Sequence, residues 1–85
     1  MIKLLDFNAV WCQPCKIMSP IIEDIEKEFK DKLEIIKIDV DKESKKADEY
    51  NVMSIPTFVI LKDNKEIGRT TGTISKQNLI KLLGF

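Results

Sequence analysis

Apolar and polar positions change their period several times along this chain, and each change marks an element. Ile2–Asn8 is short and mostly apolar, as a strand covered on both faces reads. Across residues 12–29 the spacing turns helical: Met18, Ile21, Ile22, Ile25 and Phe29 share one side, with Glu23, Asp24, Glu26, Lys27, Glu28 and Lys30 opposite. Glu23 with Lys27, and Glu26 with Lys30, are favourably oriented i,i+4 pairs. Residues 33–40 are β-branched and apolar, predicting a second strand. The helix between the two makes a right-handed crossover, so these strands run parallel. Residues 41–51 are polar with a weak helical pattern around Ala47 and Tyr50, predicting a short helix. Thr57–Lys62 and residues 66–71 flank Asp63-Asn64-Lys65 as a hairpin of two antiparallel strands. Ser75 then caps a last helix, with Ile74 and Leu79 placed as a hydrophobic staple and Gly84 at its stop. The order is βαβαββα.

The bulk numbers narrow the class. Eighty-five residues predict one domain over 1–85, near the size at which a single core is marginal. Lys+Arg 14 against Asp+Glu 14 gives zero formal net charge, so no global field recruits nucleic acid or an anionic membrane. The longest apolar run, Phe58-Val59-Ile60-Leu61, is far short of the roughly 18 residues of a membrane span. Met1-Ile2-Lys3-Leu4-Leu5 starts like a signal peptide, but Asp6 breaks it and no small-residue cleavage site follows, which predicts a cytoplasmic protein. Two cysteines are too few for a secreted disulfide scaffold; in a reducing compartment such a pair is catalytic or metal-binding.

Those cysteines stand three residues apart in Trp11-Cys12-Gln13-Pro14-Cys15-Lys16, where the first strand gives way to the first helix. On a helix, i and i+3 lie about 5–6 Å apart on one face, within the span a disulfide accepts. The first thiol meets unpaired helical N–H groups and the positive end of the helix dipole, which stabilise a thiolate. Cys15, one turn further in, is expected to be the more shielded, giving a nucleophile followed by a resolving partner. A buried structural pair and half of a zinc site are the other readings. Structural zinc takes four Cys or His ligands, and this chain has two Cys and no His. Asp6 is a carboxylate in an otherwise apolar strand, where burial raises its pKa, unless it faces solvent at the strand end. Trp11 beside an exposed thiol suggests an apolar lip, completed by Pro14, Ile55 and Gly72, that accepts a protein chain; the alternative is a tryptophan that only packs. Pro20 removes an N–H from the helix interior and serves structure.

In this order and spacing, Asp6-Phe7-Asn8-Ala9-Val10-Trp11-Cys12-Gln13-Pro14-Cys15-Lys16, Pro20, Lys37 and Asp41 in the second strand, Ile55-Pro56-Thr57 and Gly72 resemble the thioredoxin family across almost the whole chain. The compact form is also similar to small glutaredoxin-like proteins, with Trp11 favouring thioredoxin. The resemblance implies an α/β fold with a four-stranded mixed sheet in the order 2-1-3-4 and helices on both faces. The chain begins at what would be the family's second strand, lacking the opening strand and helix, which leaves one sheet face less covered and the strand at 33–40 at an edge. It further implies that Asp6 accepts the proton of Cys15, that Lys37 lies near that carboxylate rather than simply exposed, and that the bond before Pro56 is cis. Composition alone makes that bond trans, since X-Pro is cis only about 5–6% of the time. Ile55 would then pair through its backbone with an extended substrate segment. The family's most familiar pair encloses Gly-Pro where this chain has Gln13-Pro14, and the enclosed residues help tune the potential.

The expected activity is protein disulfide reduction through a reversible Cys12–Cys15 dithiol, with no bound cofactor or metal. The partners implied are disulfide-containing target proteins and a separate electron donor of the thioredoxin-reductase type. Three rivals stand beside it: exchange with low-molecular-weight thiols, a soft-metal carrier using the two cysteines, and a binding module in which they are incidental.

Overall fold

In the computed structural model, which describes residues 1–85, the elements run β1 (Ile2–Asn8), α1 (Gln13–Glu28), β2 (Leu33–Asp39), α2 (Ser44–Glu49), β3 (Thr57–Lys62), β4 (Lys65–Thr71) and α3 (Lys76–Leu83). The sheet order is β2-β1-β3-β4, with β1 and β2 parallel and the other two pairings antiparallel. This is the expected α/β architecture, with β2 at an edge.

Period-two alternation sorts the strand residues onto two layers. Leu4, Leu33, Phe58 and Ile60 point to the side where Met18, Ile22 and Ile25 of α1 and Leu79 and Leu83 of α3 pack. Leu5, Phe7, Ile38, Val59 and Leu61 point to the other, covered by Ala47 of α2 and the partly buried Tyr50 and Val52. The second layer is thinner because its only helix has six residues. Both faces of β1 are therefore buried, and Asp6, in phase with Leu4, lies on the α1 side.

The structure departs from the sequence reading in six places, the first being that β2 ends at Asp39 and leaves Val40 outside the strand. The hairpin turn has two residues, not three: Asp63 and Asn64 take φ of 52° and 66°, the left-handed pair a two-residue turn requires, and Lys65 already pairs with Lys62 in β4. The helix expected over 41–51 shrinks to Ser44–Glu49, because the Asp39 carboxylate accepts the N–H groups of Asp41 and Lys42 and holds 41–43 as a turn. Asp41 accordingly lies beyond β2, not within it. Cys12 and Phe29 are the caps of α1 rather than part of it. Neither i,i+4 ion pair closes on α1; Glu28 instead reaches across to Lys76 of α3 at 2.9 Å.

The last helix is built as its sequence reads. The Ser75 hydroxyl accepts the Asn78 N–H at 3.1 Å, Ile74 and Leu79 pack in one cluster, and Gly84 at φ 85° ends the helix in the left-handed region. Ser75→Ala therefore costs about 1 kcal/mol, measured as a lower urea midpoint at unchanged denaturant slope.

Candidate active site

Between β1 and α1 the chain turns in four residues, Ala9 to Cys12, closed by the Cys12 N–H on the Ala9 carbonyl at 3.2 Å. Cys12 is the N-cap of α1, extended at φ −87° and ψ 109°, and its Sγ accepts the Cys15 N–H at 3.2 Å. A sulfur thus fills the place that Ser, Thr or Asp takes at most helix starts. Pro14 sits in the first turn, where its missing N–H costs nothing. The two cysteines form a disulfide with Cα atoms 5.3 Å apart, as the i,i+3 spacing allows.

Their relative exposure differs from expectation. Cys12 is 4% exposed and Cys15 7%, so in the disulfide state both residues are buried and Cys12 is not the more open of the two. Cys12 and Cys15 cluster with Ala9, and Val40 and Ile55 pack on the pair. Around it Val10, Trp11, Gln13, Pro14 and Lys16 are all exposed, so the disulfide lies one side chain below the surface.

Behind the disulfide is a polar cavity of about 300 Å³ lined by Asp6, Asn8, Ala9, Val10, Cys15, Lys16, Ser19 and Lys37. Asp6 is buried, and desolvation pushes its carboxyl above the ordinary 3.8; the Asn8 amide and then the Lys37 charge partly offset this. Lys37 is Asp6's register partner on β2, yet it is exposed overall and forms no ion pair with Asp6. The Asn8 amide donates to the Asp6 backbone carbonyl at 2.9 Å, and the Ser19 hydroxyl donates to the Cys15 carbonyl at 3.3 Å. Asn8 and Ser19 were missed from sequence, although simple periodicity finds them: Asn8 is two residues beyond Asp6 on one strand face, and Ser19 one turn beyond Cys15.

On the other flank an apolar groove of about 380 Å³ runs between Trp11 and the loop before β3, lined also by Val40, Ala47, Val52, Met53, Ser54 and Ile55. Trp11 is 65% exposed and its indole N–H donates to Asp41 at 2.7 Å, so most of the ring lies outside the core. The Ile55–Pro56 bond is cis. The Pro56 carbonyl accepts the Gly72 N–H at 2.8 Å, and Thr57 bonds Ser54 and Thr71, so three segments are tied together here. Ile55 spends neither its N–H nor its C=O on a hydrogen bond within the chain. Gly72, the exposed Pro14 and the fully buried Pro56 do not line the groove. Val52 and Met53 carry no periodic signal in sequence, and nothing there marks them.

Comparison with known proteins agrees with this geometry. The family model described as Thioredoxin matches residues 1–84. Thioredoxin of Bacillus subtilis is 44% identical over 82 residues, 96% of this chain and 79% of that protein. The structure of Fasciola hepatica thioredoxin superposes with a TM-score of 0.90 at 36% identity, covering 98% of this chain and 78% of that one. Mitochondrial thioredoxin 3 of Saccharomyces cerevisiae in its oxidized form gives 0.89 at 35%, over 98% and 76%.

Asp6 supplies a signed prediction. Its folded pKa lies above its unfolded one, so the folded state holds the proton more tightly and stability falls as pH rises from 3.8 through the folded value. Asp6→Asn is expected to lose that slope and to be the more stable protein at neutral pH, read from urea midpoints of both disulfide forms across acidic and neutral pH.

Proposed function

We propose a reaction cycle that proceeds from one premise: this chain belongs to the thioredoxin family. It is a thiol–disulfide oxidoreductase built on the Cys12–Cys15 pair and reduces protein disulfides. In the proposed cycle the Cys12 thiolate attacks one sulfur of a target disulfide, whose other sulfur leaves as a thiolate. Cys15 then gives up its proton, attacks Cys12 Sγ and expels the second target sulfur. Two electrons have passed to the target, and the chain is left with its own disulfide, the state in this structure.

The observation that carries this assignment is the N-cap geometry. The Cys15 N–H bonded to Cys12 Sγ, and the positive end of α1 behind it, both favour negative charge on that sulfur. Lowering a thiol's pKa raises its thiolate fraction but reduces its nucleophilicity, so the net gain in attack is modest. Holding Cys15 beside the mixed disulfide contributes more, because well-oriented intramolecular reactions reach effective molarities on the order of 10⁵ M or above. Asp6 is the proposed acceptor of the Cys15 proton: the two line one cavity, and a carboxyl pushed upward holds a proton nearer neutral pH. Lys37 at that cavity's edge restrains the upward shift.

The proposed docking surface is the groove with its margins. Ile55 offers an unpaired N–H and C=O to an extended target segment and Trp11 an apolar wall, with Pro14 and Gly72 as the proposed rim. Pro56 is fully buried, so contrary to the sequence expectation it shapes the turn that presents Ile55 and does not touch the target. Targets are disulfide-bearing proteins, electrons come from a separate reductase of the thioredoxin-reductase type, and the cycle runs in the cytoplasm, where a lone redox pair is the ordinary use of two cysteines.

Cys15→Ser is expected to accumulate mixed disulfides with target proteins through Cys12, visible on non-reducing gels and released by dithiothreitol. Cys12→Ser, which keeps Cys15 as the lone thiol, is expected to trap little. Trapping through Cys15 that matched or exceeded trapping through Cys12 would reverse the assignment of attacking and resolving sulfurs.

A further inference from the structure

We propose that Met53 is an oxidative modification site: a hydroperoxide converts its thioether to the sulfoxide, and that one oxygen weakens docking of protein disulfides while sparing the Cys12–Cys15 exchange itself. The inference rests on the groove reading above.

Three observations converge on this residue. Met53 is 94% exposed, against 68% for Met1 and 1% for Met18, so the chain carries its own graded controls. Met53 borders the groove with Trp11, Val40, Val52 and Ile55, and Val40 and Ile55 also pack on the disulfide. Once Cys12 and Cys15 are joined and buried, neither offers a thiolate to an oxidant, which leaves the Met53 thioether as the accessible sulfur on this face. Met1 precedes β1, at the opposite end of that strand from the cysteines.

The chemistry is a two-electron transfer with no proton to manage at sulfur. The thioether attacks the distal peroxide oxygen, the O–O bond breaks as the S–O bond forms, sulfur is oxidised, and hydrogen peroxide leaves as water or an alkyl hydroperoxide as the alcohol. Six of the seven groove-lining residues are hydrophobic. Where an apolar target side chain is laid over the sulfoxide, it strips water from a strong acceptor without replacing the hydrogen bond. Leaving one such group unpaired weakens binding by between about fivefold and a hundredfold. A small disulfide that reaches Cys12 without filling the groove escapes the penalty.

The test treats the disulfide form with hydrogen peroxide and locates added oxygen by peptide mass. Turnover of insulin, and of a small aromatic disulfide, is then compared before and after treatment with dithiothreitol as electron source. Oxygen is expected on Met53 and not Met18, with KM for insulin raised at least about fivefold, kcat unchanged and the small disulfide unaffected. In Met53→Leu the ratio of KM values before and after peroxide is expected to be one, whatever its starting KM, although Met1 is still oxidised. Met53→Gln is expected to raise KM without peroxide. An unchanged insulin KM after full oxidation at Met53, or an equal loss in Met53→Leu, overturns the proposal. An untreated protein that turns over neither substrate instead refutes the oxidoreductase reading beneath it.

Discussion

A strand covered on both faces has no inexpensive place for a carboxylate, and β1 carries one near its middle. The alternation that sends Leu4 under α1 sends Asp6 and Asn8 there as well, while Leu5 and Phe7 go to the α2 side. Register with the neighbouring strands, Asp6 against Lys37 on β2 and Phe58 on β3, fixes that choice. A slip of one residue would exchange the two faces. The carboxylate would then face α2, and Leu5 and Phe7 would fill the space behind Cys15. The polar cavity beneath the disulfide is thus a product of strand register, and it holds the desolvated Asp6 that the proposed cycle uses as its proton site.

The start of α1 shows a second coupling of stability to chemistry. Four N–H groups of a helix's first turn need partners, and here one of them finds sulfur rather than a hydroxyl or carboxylate. The first turn carries no acidic residue that would compete for the positive helix end. Both features weaken the cap as a structural device and strengthen it as a site for a thiolate. Hydrophobic packing of Met18, Ile22 and Ile25 secures the helix independently of its cap.

The groove joins parts distant in sequence. Trp11 comes from the loop after β1 and is held by Asp41 beyond β2; Val52 to Ile55 come from the loop before β3, tied down by Thr57 and, through Pro56, by Gly72. One wall therefore depends on a single exposed hydrogen bond and the other on several partly buried ones. Met53, with no tie of its own, is the most adaptable part of that surface.

Much of this was legible in the order of residues. Helical and strand periods located all seven elements because local spacing is what a helix or strand face requires. The pair Cys12 and Cys15 was legible for the same reason, since three residues of separation fix their reach. Asp6 was legible as an anomaly, a charge in an apolar run. Where side chains reach across the fold, the sequence was silent: that Asp39 delays the start of α2, that Glu28 pairs with Lys76 of α3, that Met53 and Trp11 border one groove. The exposure of Cys12 also belongs to this class, because Val40 and Ile55 cover it only after two loops meet. Spacing along the chain determines what neighbours on one element can do, whereas contacts between elements depend on register and packing, which exist only once the sheet has formed.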